Sequence, residues 1–110
     1  MKLARVILFT AQMEAMSEFY GEVLGLKKLP SNEPGWREFK AGSTRIALHS
    51  GPSSPGRKGP KIVFHAKDVA ALRATLVKRG AKLGKVREGD PFCLCDGRDP
   101  DGNPIQLSNR

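Results

Sequence analysis

The sequence predicts an α+β protein made of two related halves, each running strand, helix, strand, strand, strand. Its last segment alternates as a half-covered strand requires, with Ile105 and Leu107 on one face and Pro104, Gln106 and Ser108 on the other. A weaker copy lies upstream, where Ile46-Ala47-Leu48-His49-Ser50 aligns with Ile105-Gln106-Leu107-Ser108-Asn109 at an offset of 59 residues. A second pair, Val6-Ile7-Leu8-Phe9 and Ile62-Val63-Phe64-His65, aligns at an offset of 56, and each member leads into a helical pattern.

Leu3 to Thr10 reads as the first strand, with Val6 and Leu8 on one face and Arg5, Ile7 and Phe9 on the other. Thr10 is positioned to cap a helix from Ala11 to Leu24, whose apolar residues Met13, Met16, Phe19, Tyr20, Val23 and Leu24 recur at helical spacing and whose stop is Gly25. A short strand, Leu26 to Leu29, ends at the Pro30–Gly35 turn. Trp36–Ala41 and Thr44–Ser50 then form a hairpin around Gly42-Ser43. Residues 51–60 have turn composition throughout and join module one (1–50) to module two (61–110) within a single domain, 1–110. In the second half, Ile62 to Ala66 is a strand and Asp68 caps a helix from Val69 to Arg79 that stops at Gly80. Leu83–Arg87, Phe92–Asp96 and the final segment supply three more strands. The turn before the last strand, Asp99-Pro-Asp-Gly-Asn103, is made of residues that pre-set backbone angles or tolerate positive φ.

At 110 residues the chain buries roughly two thirds of its unfolded surface, enough for a fold without staples. The N-terminal apolar run is too short for a signal peptide or a membrane span, so a soluble cytoplasmic protein is expected. Cys93 and Cys95, two apart in a strand, make a strained disulfide and are read as free, half-buried thiols. The net charge of +8 is spread along the chain without a long basic run or interleaved aromatics, which argues against a nucleic-acid binder and for a solvated basic surface.

Motifs that mark chemistry by themselves are few. Aligning Gly102 with the sixth position of a calcium loop puts Gly97 where an acidic ligand is required, so that reading fails. No phosphate-binding loop and no nucleophile motif is present, and no catalytic residue is assigned.

Phe19-Tyr20-Gly-Glu-Val-Leu-Gly-Leu26 after a first strand, Asp68 opening a helix that ends in Gly80-Ala81, and Asp99-Pro-Asp-Gly-Asn103 before a last strand occur in this order. Together they resemble the glyoxalase/bleomycin-resistance/extradiol-dioxygenase superfamily, the vicinal oxygen chelate fold, over almost the whole chain. The resemblance implies two βαβββ modules forming a curved, cup-shaped mixed sheet with helices on the convex side. Met16, Phe19, Tyr20, Leu72 and Leu76 would then pack against Val6, Leu8, Ile62, Phe64, Ile105 and Leu107. It also implies a homodimer and, in the enzymes, a divalent metal held from the first and last strand of each half. Matched residue by residue, those positions are Arg5, Ala47, Lys61 and Gln106.

Of these four, only Gln106 has a usable ligating atom. A unit cation about 4 Å from a divalent metal is repelled by roughly 8 kcal/mol at an effective dielectric of about 20. The expectation is therefore no metal cofactor, and small-molecule binding similar to the drug-sequestering branch. A basic cup suits an anionic ligand better than cationic bleomycin. The alternative is a metal-dependent lyase or isomerase of the glyoxalase type, its ligands displaced to His49, His65 and Gln106. The expected ligand-binding residues are Arg5, Arg45 and Lys61 as donors, Ile7, Phe9 and Val63 as apolar wall, and His49, His65 and Gln106 as polar groups. In the opposing reading internal carboxylates such as Glu38 or Asp96 pair with the cations and the cup is mere wall.

Overall fold

The structure, a computed structural model, describes residues 1, 3–52, 54, 60–89 and 92–110. The chain divides into two compact units, Met1–Ser54 and Pro55–Arg110. Most of the expected 51–60 linker lies outside the described residues.

In the first unit, β1 (Arg5–Thr10), α1 (Met13–Glu18), β2 (Lys27–Leu29), β3 (Trp36–Ala41) and β4 (Thr44–Ser50) build a four-stranded sheet of order β1-β4-β3-β2. The β1–β4 pair is parallel and the others are antiparallel, so the sheet is mixed. The second unit repeats the plan with β5 (Ile62–His65), α2 (Val69–Lys78), β6 (Arg87–Glu88), β7 (Cys93–Arg98) and β8 (Pro104–Ser108), in the order β5-β8-β7-β6. The two offsets read from the sequence are equivalent registers: Val6 pairs with Ile46 as Ile62 pairs with Ile105. Each unit is thus an α+β βαβββ module, as expected.

One face of each sheet is covered by its helix. Met16, Phe19 and Tyr20 are buried together with Phe39, Ile46 and Leu48, and α1 packs on β4. In the second unit Val69 and Leu76 are buried with Cys95, Ile105 and Leu107, and α2 packs on β7 and β8.

The helix boundaries are where expectation and structure part. The helix expected over 11–24 is α-helical only over Met13–Glu18 and continues as a π-helical turn, Phe19–Val23. Gly21 sits so close to Phe39 that an added Cβ would lie 3.0 Å from its ring. Gly25, at φ 77°, ends the element, and the Leu26 amide reaches back to the Tyr20 carbonyl at 3.0 Å, spanning one residue more than the usual Schellman closure. Thr10 does not cap the helix; its buried hydroxyl accepts from the Gln12 amide at 2.9 Å, and Gln12 takes the cap position. By contrast, Asp68 caps α2 as expected, accepting from the Ala71 amide at 3.0 Å, and Gly80 at φ 108° closes it. The expected strand 83–87 contracts to the two-residue β6, with Leu83 making only an isolated bridge to Gly97. β1 begins at Arg5 rather than Leu3. Among the described residues no helix is long and apolar enough to cross a membrane.

The Asp99 turn is a hydrogen-bonded knot. Asp99 Oδ1 accepts from the Asp101 and Asn103 amides at 3.0 and 2.9 Å, Oδ2 accepts from Asn103 Nδ2 at 2.7 Å, and Gly102 takes φ 90°. Its carboxylate is spent on the turn that launches β8.

Candidate functional site

The face of each sheet opposite its helix carries the expected binding residues. Strand alternation puts Arg5, Ile7 and Phe9 of β1 on it, and register brings Arg45, Ala47 and His49 of β4 beside them. β3 adds Lys40, Glu38 and Trp36 opposite those three, and β2 adds Lys27 and Leu29. The face therefore has three rows. Arg5, Arg45, Lys40 and Lys27 form one; Ile7, Ala47, Glu38 and Leu29 the next; Phe9, His49 and Trp36 the third.

Glu38 ties the first two rows together. Its carboxylate accepts from Arg5 Nε at 2.8 Å and Arg45 Nη1 at 3.2 Å, and its own side chain is only 11% exposed against 41% and 49% for the arginines. In the third row His49 lies between two rings, with centroids 5.4 Å from Phe9 and 5.8 Å from Trp36. His49 Nδ1 is 2.9 Å from the Ser50 carbonyl, which can only accept, so Nδ1 is the donor of that hydrogen bond. Ile7 and Phe9 remain large exposed apolar surfaces.

The second unit copies the charge arrangement on an equivalent face. Val63, Gln106 and Asp96 form one row, and His65, Ser108, Leu94 and Arg87 another. Asp96 accepts from Lys61 Nζ at 2.9 Å, from Gln106 Nε2 at 2.9 Å, and from Arg87 Nη2. Val63 and His65 are exposed beside them.

Burial alone would raise the Asp96 pKa, but the Gln106 hydrogen bond and the Lys61 and Arg87 charges outweigh it and hold the carboxyl below its ordinary value of 3.8. A folded pKa below the unfolded one stabilises fully above the unfolded value and is lost as pH falls through the folded one. Acid denaturation of the wild type should steepen below about pH 4, and Asp96→Asn should flatten that limb. Identical acid limbs for the two proteins would refute the assignment. Elsewhere in β7, both thiols are free, and burial pushes the Cys95 thiol up.

The four family metal positions divide two to a unit, and their donors do not fit a divalent ion. Arg5 is bound to Glu38, Ala47 has no donor, Lys61 is bound to Asp96, and Gln106, whose Nε2 donates to the same carboxylate, offers one ligating oxygen among the four positions. The displaced set draws His49 from the first unit and His65 and Gln106 from the second. Among the described residues no group of three or more His, Cys, Asp or Glu side chains clusters as a metal site. The pairing of Glu38 and Asp96 with the cations, expected on the alternative that the cup is mere wall, is present in both units. Sequence reasoning did not single out Lys27, Lys40, Trp36 or Arg87, whose places depend on strand register.

Comparisons with known proteins agree with this fold. A family model described as a glyoxalase-like domain matches residues 5–108. No curated protein matches. Among solved structures, a putative glyoxalase family protein from Bacillus anthracis is similar at 22% identity and a TM-score of 0.81, covering 98% of this chain and 93% of that one. A glyoxalase family protein from Enterococcus faecalis matches at 23% identity and a TM-score of 0.80, covering 97% and 96%. A lactoylglutathione lyase from Agrobacterium tumefaciens matches at 18% identity and a TM-score of 0.76, covering 97% and 92%. At these identities the structural likeness speaks for the fold alone. With its two βαβββ units and a family match over nearly its full length, the chain belongs to the glyoxalase-like domain family.

Proposed function

We propose that this protein is a metal-free member of its family that binds a small anion with an apolar body on its open sheet faces. The ligand-binding residues in this reading are Arg5, Ile7, Phe9, Arg45 and His49 in the first unit and Lys61, Val63, His65 and Gln106 in the second. The observation that carries it is the charge ratio. On each face one carboxylate bridges two cations, Glu38 for Arg5 and Arg45 and Asp96 for Lys61 and Arg87, so positive charge is in excess beside exposed apolar side chains. Guanidinium groups suit carboxylate or phosphate because the planar fork offers two parallel donors.

Calorimetry of the wild type against small carboxylates and phosphates tests the reading. An anion should bind, and Arg5→Ala should weaken it about tenfold, the worth of one charge-assisted hydrogen bond. Binding of neutral or cationic compounds with no anion bound would overturn it. The metal-free part fails if dialysed protein retains stoichiometric zinc, nickel, manganese or iron that Gln106→Ala loses. The same reading has the chain as a homodimer, which sedimentation of a single one-chain species would refute.

A further inference from the structure

The first-unit face carries a feature that neither its arginine pair nor its aromatic row requires. Arg5, Arg45, Lys40 and Lys27 stand directly opposite one another, one from each of the four strands. At the usual strand spacing the row spans about 14 Å. Like charges directly opposite across strands are destabilising, and here three consecutive pairs are alike. Glu38 is bound to the two arginines, and among the described residues neither Lys27 nor Lys40 has a carboxylate within ion-pair distance. Both lysines are exposed. Four cations against one carboxylate leave a net charge of +3 on one edge of the face.

We infer that this row is a subsite for a multiply charged anion, and that the ligand is a small molecule bearing a phosphate ester, a diphosphate or several carboxylates. The inference rests on the anion-binding reading above and adds Lys40 and Lys27 to it as residues that set the preferred ligand charge. A monoanion is served by the arginine pair alone. A second negative charge gains from the lysines, whose point charges demand no fixed geometry. The Phe9, His49 and Trp36 row lies two rows farther along, where the apolar body of such a ligand would rest.

The test is calorimetry of the full chain at matched ionic strength with acetate and pyrophosphate as probes. Pyrophosphate should bind at least about tenfold more tightly than acetate. The double variant Lys27→Ala/Lys40→Ala should lose most of that preference, its pyrophosphate affinity falling by several times more than its acetate affinity. Lys82→Ala, an exposed lysine of the second unit, should keep the preference. The double variant should also melt no lower than wild type at low salt, because cross-strand repulsion is relieved, so misfolding does not mimic the loss. Equal binding of the two probes, or an equal loss in Lys82→Ala, overturns the subsite and leaves anion binding standing. Failure of both probes to bind overturns both. A short DNA duplex that binds more tightly than pyrophosphate and competes with it would also overturn the small-molecule assignment.

Discussion

Leu107→Ala should destabilise the protein by about 2–5 kcal/mol, the largest single effect expected here. Leu107 is 1% exposed and lies in the middle of β8, paired in register with Phe64 on one side and Cys95 on the other. Its truncation leaves a cavity in the core of the second unit, where a central strand paired on both sides has little freedom to move in and fill it. Leu107→Ile, nearly equal in volume, should cost less than about 1.5 kcal/mol. Chemical denaturation checks both, and a Leu107→Ala loss below about 1 kcal/mol would mean that β8 is not the centre of the second core.

Glu38→Gln should move stability and binding in opposite directions. The amide keeps a hydrogen-bond acceptor but loses the charge that holds Arg5 and Arg45, so the apo protein should lose about 1–3 kcal/mol. The lower half of that range is expected because both arginines are substantially exposed and screened. Removing a unit negative charge about 7 Å from a bound anion is worth about 0.6 kcal/mol in water and about 2.4 kcal/mol at an effective dielectric of about 20. Anion affinity should therefore rise by about threefold to fiftyfold, and phosphate should restore the lost stability. If the variant is destabilised but binds anions no better, the arginines have no role beyond holding Glu38.

Much of the fold is legible because strand alternation and glycine stops are local. Trp36–Ala41 and Thr44–Ser50 have the predicted bounds, and Asp68 and Gly80 bracket α2 as their chemistry requires. What is not legible depends on neighbours distant in sequence. Nothing in Phe19–Val23 reveals that the helix widens there, beside a glycine pressed against Phe39 of another strand. The weak β6 depends on how little of 83–88 finds a partner in β7. For the site, alternation assigns Arg5, Ile7 and Phe9 to one face, but the charge pattern emerges only when strands are set in register. The Gly42-Ser43 turn fixes that register for the hairpin, since Ala41 opposite Thr44 puts Lys40 opposite Arg45 and Glu38 opposite Ala47. Lys27 and Arg87 lie on short strands whose pairing has no such local marker.

The central claim, that the open face of the first unit holds an anion, is tested most directly by titrating phosphate into isotope-labelled protein and following backbone amide shifts. The account predicts saturable shifts concentrated in β1, β3 and β4 around Arg5, Lys40 and Arg45, and abolished in Arg5→Ala/Arg45→Ala. Shifts confined to the helix-side groove between α1 and Phe39, lined by Glu14, Glu18 and Glu22, or to the N-terminus of α2 beside Cys93, would contradict it.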